Sequence, residues 1–298
     1  MDAGSRASRT AVLVCQGRAA AHGHLAPGRF DDPVAWQLLR PDERAVVEQA
    51  AVEPADGTPA EGGRRSPVEV QLVRACAELM VPRTVAVDAA LAETTNHQVV
   101  LLGAGLDGRA WRMPWLGEAT VYEVDHPATQ ADKRERSAAL RPTARAVRFV
   151  PVDLRQQALG PALGRAGFDP ARPATWVWEG VVPYLSEPEV ARTVRQVGDL
   201  SASGSRLVVS YQVPSLAAPA GRLLLSLALR LQGRENPYGQ EPHRSAWTAR
   251  AMRELLVRYG FEVAWDADLL TLADGVDMEV HHRRQLRHGR IAVVDARD

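Results

Sequence analysis

The sequence predicts a Rossmann-like α/β fold, with a parallel sheet between helices, a helical N-terminal extension and an insertion after the fifth strand. Three observations predict it. From residue 98 onward, short apolar runs alternate with amphipathic segments of helix length, which is the pattern of right-handed βαβ units. A glycine-rich turn directly follows the first of these runs. Residues 1–95, which precede it, are patterned mainly as helix.

The N-terminal extension is predicted to contain helices over residues 8–22, 33–50 and about 67–93. Asp32-Pro33 is a typical helix start, because proline is well tolerated in the first helical turn. Pro82 marks the place where the third helix would be interrupted. Residues 51–66 are rich in proline, glycine and charge, and we expect a surface loop there.

The core is predicted to contain five parallel strands, at Gln98–Leu102, Ala119–Val124, Ala146–Val152, Thr175–Trp178 and Arg206–Tyr211. Helices are expected between them over 126–140, 156–166 and 187–201. The proline-containing segment 213–245 is interpreted as a lid over the binding site. The C-terminal part, 246–298, is expected to add a helix over 246–259, a strand near 261–265 and the apolar run Ile291–Val294. We therefore expect one domain over 1–298, with its ligand-binding core at 96–212.

Composition excludes several classes of protein. The formal net charge is zero and the isoelectric point is about 7.1, so the chain lacks the excess of positive charge that is typical of nucleic-acid-binding proteins. Cys15 and Cys76 are the only cysteines, which argues against a disulfide framework and favours a reducing cytoplasm. The apolar runs Ala11–Cys15 and Leu223–Leu231 are too short for a signal-peptide core or a membrane span. We expect a soluble, cytoplasmic protein without a bound metal.

Two groups of residues have an ordinary structural explanation. His281-His282 with His288 resembles a metal-binding cluster, but it lies within the basic segment HHRRQLRHGR, which is typical of a solvated turn. Four tryptophans are predicted to belong to the core and not to bind substrate: Trp111, Trp115, Trp176 and Trp178.

The glycine-rich turn GAGLDGR, residues 103–109, follows the strand QVVLL. Glycines allow a sharp turn and a close approach of the backbone to a ligand. With Asp125 beyond it, the turn also matches the G-x-G-x-x-G dinucleotide pattern, which would suit a nicotinamide oxidoreductase. Pro114 argues against that function, because it limits the next helix to a few residues and a pyrophosphate needs a long helix.

Acidic residues follow three successive strands of the predicted sheet. TVYEVD ends in Glu123 and Asp125, either of which could accept ribose hydroxyls. Asp153-Leu154 offers a carboxylate for an adenine amino group beside an apolar wall, and Glu179 follows the fourth strand. Because carboxyl ends of parallel strands share one edge, these groups suit a ligand with hydroxyls, an amine and a sulfonium cation.

The order of motifs in this chain resembles the leucine carboxyl methyltransferase family. The matching segments are VVLLGAGLDGR, EVDHP, DLR and EGVVPYL, together with SRTA near the N-terminus, Arg83-Thr84 with Asp88, and GQEP near the C-terminus. The resemblance implies a class I methyltransferase sheet and S-adenosyl-L-methionine as cofactor. One departure is Gly108, at a position that is commonly threonine in the family.

The resemblance also implies roles for individual residues. Gly103 and Gly105 would pass under the methionine part of the cofactor, while Asp125 would bind the ribose, with Glu123 as second choice. Asp153 and Leu154 would flank the adenine. Arg83 would bind the cofactor carboxylate, for which a planar, permanently charged fork is suited. Glu179 would lie near the amino group, and Tyr184 would face the substrate.

Several of these residues have a structural alternative. Arg83 could cap or pair on a helix surface, and Asp153 could be the N-cap of the next helix. Arg109 and Arg112 are predicted to brace the glycine loop and not to touch ligand.

The methyl donor, S-adenosyl-L-methionine, does not determine which chemical group accepts the methyl. A carboxylate with a pKa of about 4 is ionised at neutral pH and needs no general base, whereas a phenol with a pKa of about 10 benefits from one. His243, at the end of the insertion, is the candidate base. We expect O-methylation of a carboxylate on a small natural-product or polyketide-type acid. The alternatives are O-methylation of a hydroxyl and a non-catalytic cofactor-binding protein.

Overall fold

The computed structural model describes residues 8–52, 68–215 and 243–297. Within them, one sheet is formed by β1 (Gln98–Leu102), β2 (Thr120–Asp125), β3 (Ala146–Pro151), β4 (Thr175–Trp178), β5 (Arg206–Gln212), β6 (Phe261–Asp268) and β7 (Gly289–Ala296). The strand order is β3-β2-β1-β4-β5-β7-β6. Strands β1 to β5 are parallel, and β7 pairs antiparallel with both β5 and β6. The predicted Rossmann-like α/β fold is confirmed.

The last two strands are longer than the sequence pattern predicted. β6 continues to Asp268 and β7 begins at Gly289. β6 lies at the edge of the sheet and is mostly half-buried, so polar residues alternate along it. Continuous apolar runs therefore cover only part of each strand.

The N-terminal extension consists of α1 (Arg9–Ala21), α2 (Pro33–Leu38), α3 (Pro41–Val52) and α4 (Val68–Ala92). The prediction of one helix over 33–50 is wrong, because Pro41 disfavours a helical conformation at the residue before it and separates α2 from α3. The expected interruption at Pro82 does not occur, and α4 continues through it.

Shorter helices connect the strands: α5 (Arg109–Arg112), α6 (Pro127–Ser137), α7 (Leu159–Arg165), α8 (Glu187–Asp199), α9 (Ala249–Arg258), α10 (Leu269–Asp274) and α11 (Arg283–His288). Two 3-10 turns lie at Pro114–Glu118 and Val182–Tyr184. The helix after the glycine turn, α5, has only four residues, as Pro114 predicted.

Two hydrophobic cores lie on opposite faces of the sheet, because successive strand residues point to opposite sides. Val99 and Leu101 join a core with residues of α1, α2 and α4, so the N-terminal extension covers one face. Val100 and Leu102 join the other core, with residues of α7, α8 and α9. Trp111, Trp176 and Trp178 are buried as predicted, but Trp115 is 52% exposed and is not a core residue.

The basic segment near the C-terminus is not a simple solvated turn. It forms α11, whose Leu286 is fully buried. The carboxylate of Glu78 in α4 accepts the backbone N–H of His282 at 2.6 Å and lies 2.8 Å from its ring Nδ1. His282 therefore ties the C-terminal segment to α4. No group of three potential metal ligands occurs in residues 8–52, 68–215 and 243–297.

Residues 51–66 and 213–245, predicted as a loop and a lid, lie largely outside the described residues. Of the second segment, the structure describes 213–215 and 243–245. None of the described helices has the length and apolar character needed to cross a membrane.

Candidate functional site

The candidate site lies where the strand order reverses. The chain forms β1, turns to one side for β2 and β3, and then crosses to the other side for β4 and β5. The loops after β1 and β4 therefore leave the sheet side by side, which opens a crevice at the carboxyl edge. Every predicted cofactor residue except Arg83 follows one of the strands β1 to β4, at or directly after its carboxyl end.

The glycine turn is packed tightly against the loop after β4. Gly103 has a φ of +67°, and a Cβ placed on it would lie 2.2 Å from Cγ2 of Val181. The backbone N–H groups of Gly103 and Ala104 both donate to the carbonyl oxygen of Val124, at 2.7 and 3.1 Å. No residue with a side chain fits at Gly103, for reasons of both conformation and space.

Helix α1 covers the other side of the turn. A Cβ on Gly105 would lie 3.2 Å from Cβ of Ala11, and Arg18 donates to the carbonyl oxygen of Leu106. Sequence reasoning placed Arg83 of the N-terminal extension at the site, but not α1. Its contact with the turn depends on helix packing between distant segments, for which the local pattern gave no signal.

The two acidic residues of β2 have different environments. Both Oε1 of Glu123 and Nζ of Lys133 are buried, 2.6 Å apart, and burial raises the pKa of Glu123 to about 7 despite the lysine. Asp125 lies at the edge, where its carboxylate accepts the N–H of Gly105 at 2.5 Å and that of His126 at 2.6 Å. Because Glu123 is turned into the core, Asp125 is the residue whose carboxylate reaches the glycine turn.

Asp153 follows β3 and closes a turn. Its Oδ1 accepts the backbone N–H of Arg155 at 2.9 Å, and its side chain is 16% exposed. Burial alone would raise the pKa of Asp153, but the hydrogen bonds from Arg155 bring it below its ordinary value. The alternative of a helix N-cap is wrong, because α7 begins six residues later at Leu159. Leu154, beside it, is buried.

A connected cluster of ion pairs lies beneath the site. It joins four arginines to four carboxylates, all with side chains no more than 18% exposed: Arg18, Arg83, Arg109, Arg112, Asp32, Asp88, Asp107 and Glu179. Arg109 pairs with Asp88 at 2.7 Å, with Asp107, and with Glu179 at 2.8 Å. These contacts confirm that Arg109 and Arg112 brace the loop. Because opposite charges are equal in number, the cluster is neutral.

Arg83 and Glu179 meet at the end of β4. Nε of Arg83 donates to Oε1 of Glu179 at 2.6 Å. Burial opposes ionisation of Glu179, but Arg109 and then Arg83 outweigh it and lower its pKa to about 2. The terminal nitrogens of Arg83 form no hydrogen bond with the described residues. The alternative of a pair on the helix surface is wrong, since Arg83 pairs with Glu179 in the loop after β4 and both side chains are largely buried.

Tyr184 and His243, the residues predicted to lie near the methyl acceptor, are in contact. The rings of Tyr184 and His243 are 5.2 Å apart between centroids and pack edge to face. The segment around His243 is attached to the turn before Tyr184, because the N–H of Arg244 donates to the carbonyl oxygen of Pro183 at 2.7 Å. The end of the insertion therefore lies against the loop after β4.

Comparison with known proteins gives one family and several relatives. The family model described as leucine carboxyl methyltransferase matches residues 11–198. A Mycobacterium tuberculosis protein, named as a proposed S-adenosyl-L-methionine-dependent methyltransferase, is 37% identical over 230 residues, which cover 74% of this chain and 71% of the relative. A Mycobacteroides abscessus protein with the same name is 37% identical over 223 residues, covering 72% and 67%.

Two crystal structures share the fold over nearly the whole chain. One is that of a proposed methyltransferase from Thermobifida fusca, with a TM-score of 0.54 and 19% identity, covering 100% of this chain and 97% of its own. The other, from Streptomyces avermitilis, has a TM-score of 0.52 and 18% identity, covering 95% and 96%. The sheet predicted from the resemblance, that of class I methyltransferases, is confirmed.

Proposed function

The chain belongs to the leucine carboxyl methyltransferase family and is an S-adenosyl-L-methionine-dependent methyltransferase, and from this premise we propose that it methylates a carboxylate of a small molecule. The observation that carries the proposal is the extent of the family match. Residues 11–198 include the glycine turn, Arg83 and every strand-end acid of the site. His243 and the insertion lie beyond it, so the identity of the acceptor is open to experiment.

The residues present fit S-adenosyl-L-methionine. Arg83 offers to the cofactor carboxylate two terminal nitrogens that form no hydrogen bond within residues 8–52, 68–215 and 243–297, and the ionised Glu179 beside it suits the ammonium group. We assign Asp125 to the ribose and Asp153 with Leu154 to the adenine. Gly103 and Gly105 line the path between these ends, where a side chain on Gly103 would collide with Val181 and one on Gly105 would press against Ala11.

The cofactor supplies a methyl group that its sulfonium already activates for displacement. What the protein must add is alignment, and positioning alone can lower a barrier by roughly 7–11 kcal/mol. The buried ion-pair cluster contributes here by holding Glu179 ionised and the glycine turn in place. A carboxylate acceptor, ionised at neutral pH, then requires no proton transfer.

Methylation of a hydroxyl is the second candidate. The contact between His243 and Tyr184 favours it, because a histidine at the acceptor side could accept the proton of a phenol. The two candidates predict different products. A methyl ester is cleaved by alkali and releases methanol, whereas a methyl ether is stable.

The experiment uses S-adenosyl-L-methionine labelled in its methyl group with matched panels of small carboxylic acids and phenols. We expect label in alkali-labile product, and little change in turnover with His243→Ala. His281→Ala serves as control, because His281 is exposed in the C-terminal segment. Alkali-stable product, with turnover lowered about 10²- to 10⁴-fold by His243→Ala alone, would contradict carboxyl methylation and favour base catalysis on a hydroxyl.

A further inference from the structure

We infer that Arg192 of α8 is a positioning residue, which sets the selectivity of the site for adenine by fixing the peptide group that orients Asp153. The inference rests on the proposed placement of the adenine beside Asp153. It adds a residue that acts through the backbone of the loop after β3 and not by binding the ligand itself.

Arg192 binds the backbone of that loop twice. Its terminal nitrogen Nη2 donates to the carbonyl oxygen of Leu154 at 3.0 Å and to that of Arg155 at 2.5 Å. Its Nε is buried and has no hydrogen-bond partner within residues 8–52, 68–215 and 243–297. The guanidinium is therefore embedded against the loop and is not an exposed charge on the helix surface.

The first of these carbonyls belongs to the peptide group between Leu154 and Arg155. A trans peptide group is planar, so its C=O and its N–H point in opposite directions. The C=O accepts from Arg192, while the N–H donates to Oδ1 of Asp153 at 2.9 Å. Arg192 and Asp153 thus bind opposite sides of one rigid unit.

The peptide group occupies one carboxylate oxygen of Asp153 and leaves the other for a ligand. Oδ1 accepts this N–H and also Nε of Arg155 at 3.1 Å. Among the described residues, Oδ2 receives only a longer contact of 3.3 Å, from the half-exposed side chain of Arg155. If the peptide group rotated, Oδ1 would lose its backbone donor and the carboxylate would lose its fixed orientation.

Helix α8 is a firm support for this contact. Its Val194 and Val197 are fully buried in the core. Gln196, one turn after Arg192, accepts the N–H of Leu159 at 2.7 Å, where α7 begins. The helix therefore holds the loop after β3 at both ends, and Arg192 holds the end that lies nearer to the site.

The 6-position of the purine should respond to this orientation. Adenine carries an amino group there, which can donate to a fixed carboxylate oxygen. Hypoxanthine carries a carbonyl oxygen at the same place, which would face the carboxylate without a hydrogen between them. A well-oriented Asp153 therefore favours adenine, and a carboxylate that has lost its orientation should distinguish the two bases poorly.

The test compares S-adenosylhomocysteine with S-inosylhomocysteine, which differ in that group. By titration calorimetry, we expect the unaltered protein to prefer S-adenosylhomocysteine about 10- to 100-fold, the contribution of a hydrogen bond to a charged group. Arg192→Met keeps an apolar stem but no donor. It should weaken S-adenosylhomocysteine about tenfold and change S-inosylhomocysteine less than about threefold, so the preference falls.

Two matched controls lie on the same helix. Arg195 is exposed, and Arg195→Met removes the same charge without a contact to the loop. Gln196→Met releases the loop at its other end, where α7 begins. Both variants should keep the preference for S-adenosylhomocysteine. If Arg192→Met does not fold, Arg192→Gln replaces it, because glutamine is too short to reach either carbonyl and its polar end suits a half-buried position.

The outcomes separate this inference from the cofactor assignment. A preference that is unchanged in Arg192→Met, or lowered equally by Gln196→Met, overturns the inference, because selectivity would then not depend on the peptide group that Arg192 holds. The assignment of the cofactor would stand. If the unaltered protein binds S-adenosylhomocysteine without preferring it to S-inosylhomocysteine, the placement of the adenine beside Asp153 fails and the inference fails with it.

Discussion

Asp153 illustrates how position in the fold, rather than local geometry, distinguishes a candidate ligand from a turn residue. Its Oδ1 accepts the N–H two residues later at 2.9 Å, and Oδ1 of Asp169 accepts that of Ala171 at 3.0 Å. The two turns are alike. Asp153 follows the carboxyl end of β3, however, whereas Asp169 precedes the amino end of β4.

This pair gives a prediction for one residue. Asp153→Ala should weaken S-adenosylhomocysteine binding about tenfold or more, because the adenine amino group would lose a charged acceptor. Asp169→Ala removes the same kind of turn hydrogen bond at the amino edge of the sheet, away from the site, and should leave the affinity for S-adenosylhomocysteine unchanged. Titration calorimetry with thermal melting measures both variants. Equal affinities for Asp153→Ala and the unaltered protein would show that Asp153 only closes a turn.

At the scale of elements, α6 is attached to β2 by a buried charge pair. Lys133 of α6 lies 2.6 Å from Glu123 and 5.1 Å from the centroid of the Trp111 ring. Gln130, one turn earlier, donates to the backbone carbonyl of Glu123 at 2.7 Å. The pair therefore supports the strand whose last residue, Asp125, contacts the glycine turn.

Removing the lysine should destabilise the protein in a pH-dependent way. Lys133→Met leaves Glu123 buried without a partner, which should cost about 3–5 kcal/mol of unfolding free energy at pH 8. The pKa of Glu123, already about 7, should rise further. Folded protein then binds a proton more readily than the unfolded chain, so stability increases as pH falls from 8 toward the ordinary glutamate value.

Urea unfolding at pH 8 and pH 5 measures this effect, and the deficit of Lys133→Met should be smaller at pH 5. The control is the double variant Glu123→Gln with Lys133→Met, in which no buried carboxylate remains, so its deficit should no longer become smaller at pH 5. A deficit of Lys133→Met that is the same at both pH values would show that Glu123 is not the titrating group.

At the scale of the whole molecule, the N-terminal extension and the sheet share one core. Leu38 of α2 and Leu91 of α4 are buried together with Val99, Val121 and Val293 of the sheet. Without these helices, one apolar face of the sheet would be exposed to water, which is unfavourable in proportion to the area. We therefore propose that residues 1–298 behave as one domain.

This sharing predicts a single unfolding transition in calorimetry. S-adenosylhomocysteine should raise its midpoint, since a ligand at 100 times its Kd stabilises the folded state by about 2.7 kcal/mol. The same shift should appear in far-ultraviolet and tryptophan signals. Two transitions, of which only one responds to the ligand, would contradict the single domain and place the extension in a separate folding unit.

The sequence by itself determined the features that depend on neighbouring residues. The apolar runs of the parallel strands, the sharp glycine turn and the short helix imposed by Pro114 can be identified from a few adjacent positions. The acids at the strand ends were found in the same way, because parallel strands place their carboxyl ends at one edge. The fold class and the family motifs followed from these local patterns.

Only the tertiary structure decided between residues whose environment is set by distant segments. Glu123 and Asp125 are equivalent in sequence, and the packing of α6 separates the buried acid from the one at the edge. The pairing of Arg83 with Glu179 joins residues 96 positions apart. Tyr184 meets His243 only because the chain returns to the loop after β4. Such contacts depend on how helices pack on the sheet, which periodicity along the chain does not specify.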